Sequence, residues 1–346
     1  MEWLIAAGWP AIVDFLAQDW LGKPVWAWTA FLAAVIALLA FDLGVLHRTP
    51  RAVSAHESLV MSVVYIGLGL TFGGFVWAQF GQTAGVDYLT AFVVEKTLAI
   101  DNVFVIALIF GYFAVPRELQ HRVLFWGVLG VIVLRGIMIG AGAALVANFA
   151  WTLWIFAAFL IATGVKMLFM SEAPTDLSQN ALLKFMRRRL RVTDSFHGQR
   201  FFVRLPDSTG RVVLHATPLF LALALIEFAD LIFAVDSVPA IFAITSDPFV
   251  VYTSNIFAIL GLRALFFALA AMIARFRYLK PALALVLIFI GGKVFAADLL
   301  GFDKVPPALS LGVTFALLGG GVLWSLWRSR GEGGAQAAPD AARERG

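Results

Sequence analysis

Nine predominantly apolar stretches, each about 20 residues long, constrain this chain more than any other feature. They run at roughly 25–46, 57–80, 88–114, 122–147, 150–170, 217–245, 250–274, 281–300 and 306–327. A helix of about 20 apolar residues spans the hydrocarbon core of a bilayer. The predicted fold class is therefore all-α, a polytopic membrane protein of about nine transmembrane helices. Composition agrees: 61% of the 346 residues are hydrophobic and 14% are charged, where a soluble chain carries about a quarter charged.

The basic residues sort the connections into two sets. One set carries Arg48, Arg51, Arg117, Arg122, the eight basic residues from Lys184 to Arg211, Arg275, Arg277, Lys280, Arg328 and Arg330. The other holds little beyond Lys23 and Lys304. Positive-inside bias then places the N-terminus outside and the C-terminus in the cytoplasm, and an odd number of spans agrees. No cleavable signal peptide is expected: Glu2 stands where a positive charge belongs and Pro10 interrupts the first apolar stretch. Residues 1–24 read as a Trp-rich interfacial segment and 25–87 as two lead-in helices. The polar insert 171–216 combines a basic helix, suited to anionic headgroups, with a β-hairpin over Phe201–Leu205 and Arg211–His215. Residues 301–328 hold the last span, and 329–346 read as a disordered tail.

Between these flanks lies an internal echo. Glu95-Lys96-Thr97-Leu98-Ala99-Ile100-Asp101-Asn102 matches Asp230-Leu231-Ile232-Phe233-Ala234-Val235-Asp236-Ser237, each with two carboxylates six positions apart and a small polar residue after the second. Downstream, Arg135 corresponds to Arg263, Gly164 to Gly291 and Lys166 to Lys293. Each unit, 88–170 and 217–300, contains three spans, so the second enters the membrane the opposite way round. That is the inverted three-helix repeat of many secondary transporters, whose sites lie near the midplane.

Eleven ionisable residues fall inside the predicted spans: Asp42, Glu95, Lys96, Asp101, Arg135, Lys166, Glu227, Asp230, Asp236, Arg263 and Lys293. At about 3 kcal/mol each, their burial would cost roughly 30 kcal/mol unpaired, more than the stability of a typical protein. They must be paired, hydrated or protonated. A set of ion pairs that only fix helix packing accounts for the basic members, Arg135, Arg263, Lys166 and Lys293, but poorly for the clustered carboxylates. At 100° per residue, Glu95 and Asn102 share a face, as do Asp230 and Ser237, and Glu227 joins the second pair. Asp101 and Asp236 point elsewhere if the helices are regular, so a break between the carboxylates is one expectation. Pro239 favours it in the second copy, because it cannot donate to the carbonyl of Val235. The alternative is an ordinary proline kink.

The candidate ligands are then Glu95, Asp101, Asn102, Glu227, Asp230, Asp236 and Ser237, all oxygen donors. With no cysteine in the chain and no histidine in mid-span, this set suits a hard or borderline cation such as Mn²⁺, Mg²⁺ or Ca²⁺. Lys96, Arg135, Lys166, Arg263 and Lys293 would compensate charge, and Asp42 would serve as a gate or proton relay, or simply pair locally with His47 or Arg48. A carboxylate that binds a cation when ionised can carry a proton when empty, so proton counter-flow is expected. No HExxH motif is present to suggest a hydrolase, and the chain is not expected to be an enzyme. No tightly bound cofactor is expected, and no nucleic-acid partner. The expected partners are the lipid bilayer, a divalent cation, protons and a protein docking at the 171–216 insert.

The strings Phe92-Val93-Val94-Glu95-Lys96-Thr97-Leu98-Ala99-Ile100-Asp101-Asn102-Val103-Phe104, Thr217-Pro218-Leu219-Phe220, Glu227 to Ile241 and Tyr252 to Arg263 resemble the TerC family of integral membrane proteins, particularly its Alx-like branch. The likeness covers roughly 25–327. It implies manganese efflux across the bacterial inner membrane, with the motif carboxylates as metal ligands. Family members are also linked to tellurium resistance and to loading metal into exported enzymes, so the alternative expectation is a membrane-embedded assembly or metalation factor for exported proteins, or a tellurium-resistance component, without transport of its own.

Overall fold

The computed structural model describes residues 11–41, 55–149, 151–169, 177–206, 210–270, 279–299 and 306–336, and helices dominate it. A small hairpin leads in, with β1 (Asp19–Trp20) antiparallel to β2 (Lys23–Pro24). α1 (Val25–Phe41) follows directly. α2 (Ala55–Tyr112) is 58 residues long, far more than one bilayer crossing needs. It folds back at Gly81, whose φ of 91° and ψ of 172° suit only a residue without a Cβ. The arms 55–80 and 82–112 then lie together, with the Tyr88 hydroxyl donating to the Gly69 carbonyl at 3.1 Å. The second arm starts before the predicted 88 because residues 82–87 remain helical.

α3 (Arg117–Asn148) and α4 (Thr152–Phe169) complete the first half. In the insert, α5 (Ala181–Arg189) is capped by the Asn180 side chain, which accepts from the Leu182 and Leu183 N–H groups at 2.9 and 3.2 Å. The hairpin forms one residue later than expected, with β3 (Phe202–Pro206) antiparallel to β4 (Val212–Ala216). The insert is tied to α3 through Arg122, which donates to the Gln199 side chain at 3.0 Å and lies over the Phe201 ring.

The second half comprises α6 (Pro218–Phe242), α7 (Pro248–Leu260), α8 (Leu262–Ala270) and α9 (Leu279–Leu299), followed by α10 (Pro307–Gln336). Six described helices or helix pairs are long and apolar enough to cross a membrane, and two shorter apolar helices cover Val25–Phe41 and Pro281–Ala297. The span Pro248–Ala268 is central, with 89% of its most apolar window buried. Asp247 caps it by accepting from the Phe249 and Val250 N–H groups, and pairs with Lys23 at 2.8 Å.

Two expectations need correction. α6 runs through Pro239 to Phe242 without a break. Few residues follow the proline, so its missing N–H and ring clash fall where little helix remains to be disrupted. The interruption in the second half is instead at Gly261, between α7 and α8. The tail from 329 is helical as far as Gln336, since extending a helix already started costs far less than nucleating one, even across Gly331, Gly333 and Gly334; residues 337–346 lie outside the described residues.

α4 and α9 cross with reciprocal contacts. A Cβ on Gly164 would meet the Ala284 carbonyl and Ile288, while one on Gly291 would meet the Ala157 carbonyl and Ile161. Every partner on one helix has its counterpart on the other 127 positions along, the geometry expected where a two-fold axis relates two copies.

Candidate functional site

The α2 arm 82–112, α3 and α6 bring their mid-span polar groups to one point. Arg135, on α3, is 1% exposed. Its Nη1 donates to Glu95 Oε1 at 2.8 Å and to the Ser237 hydroxyl. Its Nε and Nη2 donate to Asp230 Oδ2 and Oδ1 at 3.2 and 3.1 Å, a two-pronged grip that the planar guanidinium favours. Asn102 completes the cluster, its amide donating to Asp230 Oδ1 at 3.2 Å. Glu95 and Asp230 hold the same place in the two motifs, as do Asn102 and Ser237. One arginine is therefore held by both copies. Asp230 is the middle residue of α6, the depth at which an uncompensated charge is most expensive.

The remaining predicted residues go elsewhere or are undescribed. Glu227, one turn before Asp230, rests against α3, where Gly130 leaves the space its carboxylate fills. Arg263 Nη1 is 3.1 Å from His121 Nε2. Lys96 does not pair with a motif carboxylate in any described contact; its ammonium donates to the Ala258 carbonyl at 2.9 Å, beside the Gly261 interruption. Lys293 donates to the Ser310 hydroxyl at 3.0 Å, linking α9 to α10. Lys166 is exposed on the last turn of α4. Asp101 and Asp236 sit on helical backbone, but their side chains lie outside the described residues, as does Asp42 altogether.

Two carboxylates and one guanidinium leave the cluster with a formal charge of −1. The Glu95 Oε2 atom is buried and has no hydrogen-bond partner among the described residues, and the same holds for Glu227 Oε2. Among the described residues no group of three or more acidic or histidine side chains is arranged around a metal position. The guanidinium occupies the space between the two carboxylates instead.

A cavity reaches this cluster from one side. It is lined by Asn102, Asp230, Arg263 and apolar residues including Ile106, Leu124 and Val131. All of its α2 and α3 lining residues lie between the cluster and the helix ends that face the insert.

Three contributors were not read from the sequence. His121 stands one residue before the predicted start of a span, outside the apolar run. Gly130 and Gly261 matter through close approach, which only the packing defines. Gly130 shares a helix face with Gly127, a spacing that signals a notch but not what fills it.

The profile of the integral membrane protein TerC family matches residues 80–332. An uncharacterized membrane protein of Myxococcus xanthus is 46% identical over 303 residues, covering 88% of this chain and 92% of that protein. A membrane protein of Rickettsia bellii is 45% identical over 302 residues, covering 87% and 97%. The Escherichia coli protein named "Putative membrane-bound redox modulator Alx" is 46% identical over 307 residues, covering 86% and 93%. No solved structure matches. A family match across most of the chain, with relatives this similar over nearly their full length, means that the protein belongs to the TerC family of integral membrane proteins.

Proposed function

We propose that this protein is a secondary transporter, not an enzyme, that exports a divalent cation across the bacterial inner membrane, with Mn²⁺ the first candidate. The observation that carries the reading is the convergence of Glu95 and Asp230, equivalent residues of two motifs, at mid-span, with one buried Glu95 oxygen unpartnered among the described residues. Their donors are oxygens only, which favours Mn²⁺, Mg²⁺ or Ca²⁺ over softer metals. The cavity touching Asp230 lies toward the side of the insert, which on this reading of the basic residues is cytoplasmic, with the N-terminus outside. Protons returning on the emptied carboxylates would complete the cycle. The metal is cargo on this reading, and no resident cofactor is required. The Alx relatives bear a redox name, but a chain without cysteine cannot itself supply a thiol to such a role.

Purified protein in liposomes with an imposed pH gradient tests the reading. Wild-type protein is expected to move Mn²⁺ and to dissipate the gradient as it does so. Glu95→Gln and Asp230→Asn are each expected to lower flux about tenfold or more, the loss of one charged contact of roughly 1.5–3 kcal/mol, and Asp101→Asn and Asp236→Asn, as the other proposed ligands, are expected to lower it as well. Undiminished flux in all four variants would mean that the site is elsewhere.

A further inference from the structure

We propose that Arg135 is a tethered competitor for the transported cation, holding the carboxylates while the site is empty and releasing them when metal binds. This rests on the transport reading above and adds to it the identity of the group that the metal displaces.

Three observations lead here. First, the guanidinium uses the oxygens a metal would need. Of the four carboxylate oxygens of Glu95 and Asp230, Oε1, Oδ1 and Oδ2 each accept from Arg135, and only Glu95 Oε2 is unpartnered among the described residues. A divalent ion cannot be shared by the two carboxylates while that grip persists. Second, a guanidinium does not leave by losing its proton. It must move, and a cavity touches its partner Asp230. Third, the charge balance requires a substitute cation. Two bare carboxylates in mid-membrane are costly, and an internal cation lets an emptied carrier exist without them.

Arg135 could instead be a permanent staple joining three helices, and the two roles differ in sign. A staple that is cut loosens the site and weakens metal binding. A competitor that is removed tightens it, because apparent affinity is reduced by the fraction of time the site is closed to metal. If arginine holds the carboxylates nine-tenths of the time or more, its loss tightens binding about tenfold or more.

The experiment uses the full chain in detergent, melted across a MnCl₂ titration, and in liposomes for flux. Metal that binds the folded state stabilises it by RT ln(1 + [Mn²⁺]/Kd), so the concentration at which the midpoint begins to rise, close to Kd, is compared between variants rather than the midpoint itself. Arg135→Gln is expected to lower that concentration about tenfold or more. In flux, KM should fall and the maximal rate should fall with it, since metal leaves more slowly and the empty carrier lacks its counter-charge. Arg135→Lys retains the charge but cannot bridge both carboxylates as a fork, and should fall between wild type and Arg135→Gln. If Arg135→Gln does not fold, the lysine variant decides alone. Variants that need the same or more Mn²⁺ than a wild type that does bind and transport it would overturn the competitor and leave the transport reading intact. A wild type that neither melts higher with Mn²⁺, Mg²⁺ or Ca²⁺ nor carries any of them would overturn both.

Discussion

Asp230 and Glu95 are equivalent in sequence but not in bonding. Asp230 takes both prongs of Arg135 and the Asn102 amide, whereas Glu95 takes a single nitrogen and keeps one oxygen without a described partner. Each charge-assisted bond is worth roughly 1.5–3 kcal/mol, and Asp230 accepts two from Arg135 where Glu95 accepts one. Asp230→Asn is therefore expected to melt lower than Glu95→Gln, which loses one charge-assisted bond of roughly 1.5–3 kcal/mol; denaturation in detergent compares them directly. A neighbouring position separates stability from function. A methyl at Gly130 would come within 2.2 Å of Glu227 Oε1, and the end of a flexible side chain can move aside. Gly130→Ala should therefore change stability by no more than about 1 kcal/mol while displacing the Glu227 carboxylate. A raised KM for Mn²⁺ in that variant would assign Glu227 to the cation path; an unchanged KM would remove it.

At the scale of elements, the informative helix is the interrupted one. α7 ends at Leu260 and α8 begins at Leu262, in the most enclosed span of the molecule. Carbonyls at a helix C-terminus need partners, and here water is distant. Lys96 supplies an ammonium to the Ala258 carbonyl, placing positive charge at the negative end of the α7 dipole. Truncating it in Lys96→Met should cost about 1–3 kcal/mol, the price of an unsatisfied buried acceptor. Lys96→Gln retains a donor and should recover part of the loss, which thermal melts would show. The contact of Lys96 with the α7 end was not legible because helical angles describe a residue's own helix. They do not reveal that the facing helix is broken.

For the whole molecule, the reciprocal crossing of α4 and α9 makes a symmetric demand. A methyl at Gly164 or Gly291 would lie 2.6 Å from a backbone carbonyl oxygen of the other helix, which cannot swing away as a side chain can. Gly164→Ala and Gly291→Ala should each destabilise the fold by about 1–3 kcal/mol, and by similar amounts. Strongly unequal losses would argue against equivalent halves. The absence of cysteine makes orientation directly measurable. A single cysteine at exposed Ser195 should react with an impermeant thiol reagent only from the cytoplasmic side, and one at exposed Asn148 only from outside.

What the sequence determined by itself was whatever depends on distance along one chain. Helices, their lengths and the membrane class follow from apolar runs, because the thickness of hydrocarbon and the cost of an open backbone do not depend on which neighbours are present. The seven-residue spacing that put Asn102 on the face of Glu95, and Ser237 on that of Asp230, was legible for the same reason, and all four residues do meet. Partner choice was not legible. Five basic residues looked alike as counter-charges, yet Arg135 takes both described motif carboxylates, Arg263 faces His121, Lys96 caps a broken helix and Lys293 holds a serine. Which cation reaches which anion depends on how helices some 40 to 160 residues apart approach one another. Only the tertiary structure decided that, including that an arginine stands where the cation was expected.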